Sequence, residues 1–347
     1  MSTFRRRVQV TGGSTFIVSL PKEWARRVGI SSGSEVVMEI LPDYSLRVYP
    51  STSARRRSYE RMVVIDNLNE GKLIREVISS YLAGYTTVNV VFKVPSERLR
   101  AVLKEFITHR IVGLEILEET ADSVLLHLVV DPSSLPLNEA IKKMAKTVSY
   151  MLMDVRNTLT SFDEGVLKSV IERDDTVDKL FLFVVKQLNL VLLGGIKPSD
   201  AGVETLAEAL YILIGVKSIE RIADHASIIA RELLMSRGKA PLPDQVIELY
   251  EGGEELFNAI SRSFINIDKA VANDVMLKAE SLRREERGLR EKLVNILNFP
   301  FVSIFMDHTK RIIDYSMDIA EAVINIATLR EIRDFSSKGG FELSSGD

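Results

Sequence analysis

Four carboxylates carry the chemical content of this sequence. Asp174 and Asp178 stand four residues apart in "VIERDDTVDKLF" (170–181), and Glu220 and Asp224 do the same in "SIERIADHASIIA" (218–230). On a helix, residues at i and i+4 share one face, and both stretches are otherwise apolar enough to read as packed helices. If the two helices pack antiparallel, one acidic pair faces the other. Carboxylates converging on an apolar surface are costly unless cations lie among them. Bound multivalent cations would resolve the repulsion, with Arg221 or Lys179 as internal helpers. Clustered acids with a cation could also activate water, as in a metal-dependent hydrolase. No base, nucleophile or substrate cradle accompanies them, so no enzymatic activity is expected. His225 follows Asp224 directly and points about 100° away around a helix, which makes it a packing residue, as is His308. His109 and His127 are isolated and have no metal-ligand spacing.

The elements that must position these acids are long helices. From Leu137 onward apolar residues recur at three and four; Ile141, Met144, Ala145, Val148, Met151, Leu152 and Val155 share one face. Pro198 opens the helix that carries Glu220, and three more helices follow Pro241 and Pro243. "IERIADHASIIA" (219–230) aligns with "TKRIIDYSMDIA" (309–320) at an offset of ninety, which implies two three-helix units, 137–237 and 241–330, before a polar tail at 331–347. In the second unit the acids are degraded. Aligning "LREKL" with "VDKLF" places Arg287 where Asp174 stands and Glu291 where Asp178 stands. Lys310 replaces Glu220, while Asp314 is kept. Internal pairs Arg287–Glu291 and Lys310–Asp314 would then stand in for bound metal. The second unit is also expected to lose about three turns from each of two helices. "NFPFV" (298–302) forms its tip, with Phe299, Pro300 and Phe301 capping the bundle.

The first 132 residues read differently. Residues 1–61 hold eleven Lys/Arg against five Asp/Glu, leaving 34 against 43 for the remainder. A basic head on an acidic body suggests two partners of opposite electrostatic type. Val8 and Val10, then Phe16, Val18 and Leu20, alternate about Gly12-Gly13. A short helix "PKEWARRVG" and two further strands complete a segment too small to bury its own core, so dimerisation is expected. After the basic linker "STSARRR", residues 58–132 read β-α-β-α-β-β, a small α+β module of connecting or dimerising character. The 347-residue chain has no cysteine, which removes disulfides and thiolate sites, and no apolar run long enough for a membrane span or a signal peptide. A cytoplasmic protein is the expectation.

"VQVTGGSTFIVSLPKEWARRVGISSGSEVVMEI", closed by "SLRVYP", resembles the AbrB/SpoVT swapped-hairpin family over residues 3–50. The resemblance implies a homodimeric barrel that contacts duplex DNA. Arg5, Arg6 and Arg7 are the leading candidates for that contact, with Lys22 and Arg27 beside them, because arginine serves both phosphates and guanine edges. "VIERDDTVDKLF" with "SIERIADHASIIA" resembles the PhoU family of phosphate-uptake regulators over residues 138–330. That implies iron or zinc held by Asp174, Asp178, Glu220 and Asp224, with none required in the second repeat, and control of phosphate uptake. Together the resemblances describe a multidomain α+β chain: a swapped-hairpin β-barrel, a small α+β module and an all-α bundle of two repeats. The function they imply is a phosphate-responsive transcriptional regulator. The alternative is an adaptor that docks on a membrane phosphate transporter or signalling protein without binding DNA.

Overall fold

The computed structural model describes residues 3–40, 45–51, 59–130, 135–237, 242–293 and 300–337. Two compact units emerge, one built on Met1–Arg57 and the other on Ser58–Lys338. In the first, β1 (Gln9–Thr11) pairs antiparallel with β2 (Thr15–Ile17), and β3 (Val36–Ile40) with β4 (Leu46–Pro50). The helix α1 (Lys22–Arg27) lies between the two hairpins in sequence. Gly12 and Gly13 both take left-handed φ, 59° and 83°, which a side chain would resist and which lets the first hairpin close. Among the described residues of this unit only Pro50 is buried. Phe16 is 75% exposed and Ile40 74%, with Val8, Val10, Val18 and Met38 also open. A pleated surface this apolar is not stable in water uncovered.

The second unit begins with β5 (Glu60–Ile65), α2 (Glu70–Leu82), β6 (Thr87–Phe92), α3 (Glu97–Arg110), β7 (Leu114–Glu119) and β8 (Ser123–Leu128), in the order the alternation predicts. The sheet order is β5-β6-β8-β7, with β5 parallel to β6 and the other pairs antiparallel. In β6, Val88, Val90 and Phe92 are buried against Leu73, Val77, Leu99 and Leu103 of the helices. Asn69 and Ser96 cap α2 and α3 by accepting from the amides of Lys72 and Leu99. The opposite face of the sheet leaves Met62 66% exposed.

Among the described residues six α-helices follow: α4 (Leu137–Thr160), α5 (Glu164–Leu192), α6 (Glu208–Ser236), α7 (Asp244–Asn266), α8 (Lys269–Lys292) and α9 (Pro300–Ser337). All seven residues expected on the inner face of α4 are buried, and the two three-helix units share one continuous core. Asp163 caps α5, and Asp268 caps α8 through two amides at 3.1 Å. Three expectations need correction. Pro198 opens only a 3-10 turn, Ser199–Ala201, and the helix proper starts at Glu208. The second repeat does not lose three turns from each helix, since α8 has 24 residues and α9 has 38, against 29 each for α5 and α6. The length missing from the loop is recovered at the far end, where α9 runs through 331–337 of the expected tail. Phe301 packs against the core and lies 6.2 Å from Phe305. Phe299 and Pro241, like residues 52–58 of the basic linker, lie outside the described residues.

The α+β module and the bundle meet along α5. Leu182 of α5 enters the core of the module, and Asn189 donates to the Leu82 carbonyl at 2.9 Å. The Lys186 ammonium sits 4.0 Å over the Tyr81 ring, with no hydrogen-bond partner of its own. Lys179 donates to the Thr108 carbonyl at 3.1 Å.

Candidate metal centre

Helices α5 and α6 pack antiparallel, and their i, i+4 acids meet. Oxygens of Asp178, Glu220 and Asp224 all lie within 4.8 Å of one another. Asp174, one turn from Asp178, stands beside this triad rather than in it. Its Oδ1 is buried without a hydrogen-bond partner, and so is Glu220 Oε2. The Asp174 carboxyl is pushed up to about 7, first by burial and then by the charges of Asp178 and Asp224. The Ser227 hydroxyl is near enough to favour its anion slightly, although neither Ser227 Oγ nor Asp174 Oδ1 makes a hydrogen bond of ordinary geometry. Burial also raises Asp178 and Glu220 above the usual carboxylate range, and Asp224 adds to both shifts.

Three protein cations flank the acids. Arg221 bonds Asp224 at 3.1 Å, as its spacing suggests. Lys217 bonds Glu220 at 2.6 Å, and Arg110 reaches from the end of α3 to Asp175 at 2.6 Å and to Asp178. Lys179 does not neutralise the cluster; its ammonium turns to α3. Lys217, three residues before Glu220, could have been read from the sequence. Arg110 could not, because 68 residues separate it from Asp178. Counting Asp175, five carboxylates face three cations. An all-oxygen donor set with two buried oxygens that lack hydrogen bonds, one of them 3.8 Å from Arg221 Nε, fits a multivalent cation. Asp178, Glu220 and Asp224 would hold it, with Asp174 at the margin.

His225 and His308 stay out of this cluster. Their Nδ1 atoms lie 2.6 Å apart where α6 meets α9, and His225 stacks on Tyr315 at 5.7 Å. In the second repeat the expected pairs do not form among the described residues. Asp314 bonds Arg283 at 3.2 Å, and the half-buried Lys310 makes no ion pair. Arg287 and Glu291 are exposed, while the buried Glu286 pairs with Arg290, which also holds Asp307 at 2.5 Å. The partner of Asp314 is therefore Arg283, one turn before Arg287 on α8, and not Lys310. "SLRREERGLREKL" offers charged residues at several registers, and packing selects among them. In the head, Arg5, Arg6, Arg7, Lys22 and Arg27 are all exposed.

Fold and site together define a helical-bundle domain with an acidic cluster on the interface of its second and third helices. The comparisons give that class its name. Residues 141–233 match the model of the PhoU domain, and residues 9–56 match "Antidote-toxin recognition MazE, bacterial antitoxin". Part of the bundle is thus similar to a PhoU domain, and the head to an antitoxin domain. Among solved structures, the phosphate transport system regulatory protein PhoU from Streptococcus pneumoniae is 16% identical at a TM-score of 0.48, covering 55% of this chain and 93% of its own. PhoU from Pseudomonas aeruginosa is 20% identical at a TM-score of 0.43, covering 58% and 96%. No curated protein matches the chain. Among the described residues, no helix is long and apolar enough to cross a membrane.

Proposed function

We propose that this chain is a cytoplasmic, phosphate-responsive transcriptional regulator, and not an enzyme. Two heads pair through their exposed hairpins into a homodimer that binds duplex DNA with Arg5, Arg6 and Arg7, supported by Lys22 and Arg27. The acidic cluster holds a multivalent cation, iron or zinc, at Asp178, Glu220 and Asp224, with Asp174 completing the set. The three segments near 3–50, 58–132 and 137–330 act as reader, connector and sensor. The observation that carries this reading is Arg110. It comes from the module that follows the DNA-binding segment in sequence, yet it bonds Asp178 in the triad. A cation arriving at Asp178 competes with Arg110, so the state of the cluster is felt at the junction of module and bundle.

A second reading rests on the PhoU domain: an adaptor for a phosphate transporter that binds no DNA. Genome-wide occupancy of the protein at high and low phosphate, repeated with Arg5→Ala, Arg6→Ala and Arg7→Ala combined, separates the two. A regulator shows phosphate-dependent peaks that vanish in the triple variant. An adaptor shows none in either protein.

A further inference from the structure

The bundle carries a second concavity on another flank of α5, apolar in its wall and basic at its rim. An open cleft of about 420 Å³ lies between α4 and α5, with Val112 of the α+β module also lining it. Lys143, Lys146, Thr147 and Tyr150 line it from α4, at positions that share one helical face. Thr176, Lys179 and Leu180 line it from α5, again on one face. The volume falls within the range of about 300–1,000 Å³ usual for small-molecule sites.

The charges in this cleft are unusual for their surroundings. Helices α4 and α5 carry eight basic residues. Lys142, Arg156, Lys168 and Arg173 are ion-paired, and Lys186 is buried over Tyr81. The remaining three, Lys143, Lys146 and Lys179, all line the cleft, and none has a described carboxylate within ion-pair distance. On a body with 43 acids against 34 bases, three lysines without a carboxylate partner gather on one concavity. The rest of the wall is flat and apolar: the Tyr150 ring, with Lys146 5.7 Å from its centroid, together with Leu180 and Val112.

We propose that this cleft binds a phosphorylated small molecule with a planar apolar portion, a nucleoside phosphate. The Lys143 and Lys146 ammonium groups take the phosphates as point charges with Lys179 at the edge, Thr176 offers a hydroxyl, and the base lies along Tyr150 and Leu180. Lys179 is held by the Thr108 carbonyl at the base of α3, two residues before Arg110. Occupancy of the cleft therefore bears on the same junction that the acidic triad contacts, without using any residue of that triad.

The test is calorimetric titration of the full-length protein, after chelation, with ADP, AMP, adenosine and inorganic phosphate in turn. The proposal expects saturable binding of ADP, one per chain, with adenosine and phosphate each weakened at least tenfold. Lys143→Gln with Lys146→Gln should lose ADP binding at least tenfold, and Tyr150→Ala should weaken ADP while leaving phosphate alone. Lys142→Gln, a paired neighbour, should change nothing. All four substitutions lie on exposed positions, so circular dichroism should show folded proteins. No saturable binding of any probe overturns the proposal. So does ADP binding indifferent to Lys143 and Lys146. Phosphate binding as tightly as ADP overturns the nucleoside assignment.

Discussion

Asp174→Asn, in protein stripped of metal by chelation, should stabilise the fold and remove part of its pH dependence. The folded protein raises the Asp174 carboxyl from 3.8 to about 7, chiefly by burial and then by repulsion from Asp178 and Asp224. The unfolded chain ionises the group near its ordinary value. Between those two values the unfolded state binds fewer protons than the folded one, so stability falls as pH rises, and the loss is complete above about 7. The displacement corresponds to about 4 kcal/mol at about 1.4 kcal/mol per tenfold change in proton affinity. Part of the side chain stays open to water, and screening reduces this to on the order of 2 kcal/mol. With a urea slope of about 1–3 kcal/mol per molar, the unfolding midpoint of the variant should exceed that of the wild type by about 1 M at pH 8. At pH 4 the two midpoints should nearly coincide. Urea titrations of both proteins from pH 4 to 8 measure this directly. A difference that stays constant over that interval would refute the electrostatic account of the cluster.

Three further outcomes follow from individual residues. Lys186 is buried, with its affinity for a proton lowered to about 7. Its folded value lies below the unfolded one, so Lys186→Met should stabilise by roughly 2–4 kcal/mol at pH 7 and by almost nothing near pH 10.5, read by thermal denaturation at both. His225 is lowered to about 4 by burial first and by His308 second. Stability from the neutral pair is full above pH 6.5 and lost as pH falls toward 4, by on the order of 1 kcal/mol after screening, and His225→Asn should flatten that limb in urea titrations. Replacing Arg5, Arg6 and Arg7 by alanine should lower the slope of log affinity against log salt by up to about 2.7 for each head, about 5.4 for the dimer, on duplex DNA, measured by fluorescence anisotropy. An unchanged slope would remove these arginines from the phosphate contacts.

The parts of this molecule that could be read in advance are those fixed by local spacing. Asp174 with Asp178, and Glu220 with Asp224, lie on one helical face whatever the helix packs against. The inner face of α4 followed from apolar period, and the succession of strands and helices along the α+β module from alternation and helix-start residues. Arg110 escaped because its partner Asp178 is distant in sequence and lies in another module, so only tertiary packing brings them together. The register of α8 escaped for a different reason. Arg283, Glu286, Arg287, Arg290 and Glu291 repeat so closely that a one-turn slip costs nothing in sequence terms, and burial of Glu286 decides it. Lys186 hid inside "FLFVVKQLNLVL", where a lysine on an apolar helix reads as a solvated break. The tri-lysine cleft was invisible because Lys143 and Lys146 look like an ordinary solvent face until α5 is laid beside them.

The central claim is that the carboxylates between α5 and α6 hold a multivalent cation. Elemental analysis of the purified full-length protein, beside the Glu220→Ala, Asp224→Ala double variant, measures it most directly. The account predicts about one or more equivalents of iron, zinc or another multivalent cation per wild-type chain, reduced to background in the folded double variant. Equal metal in both proteins, or none in the wild type after reconstitution with those ions, would contradict it.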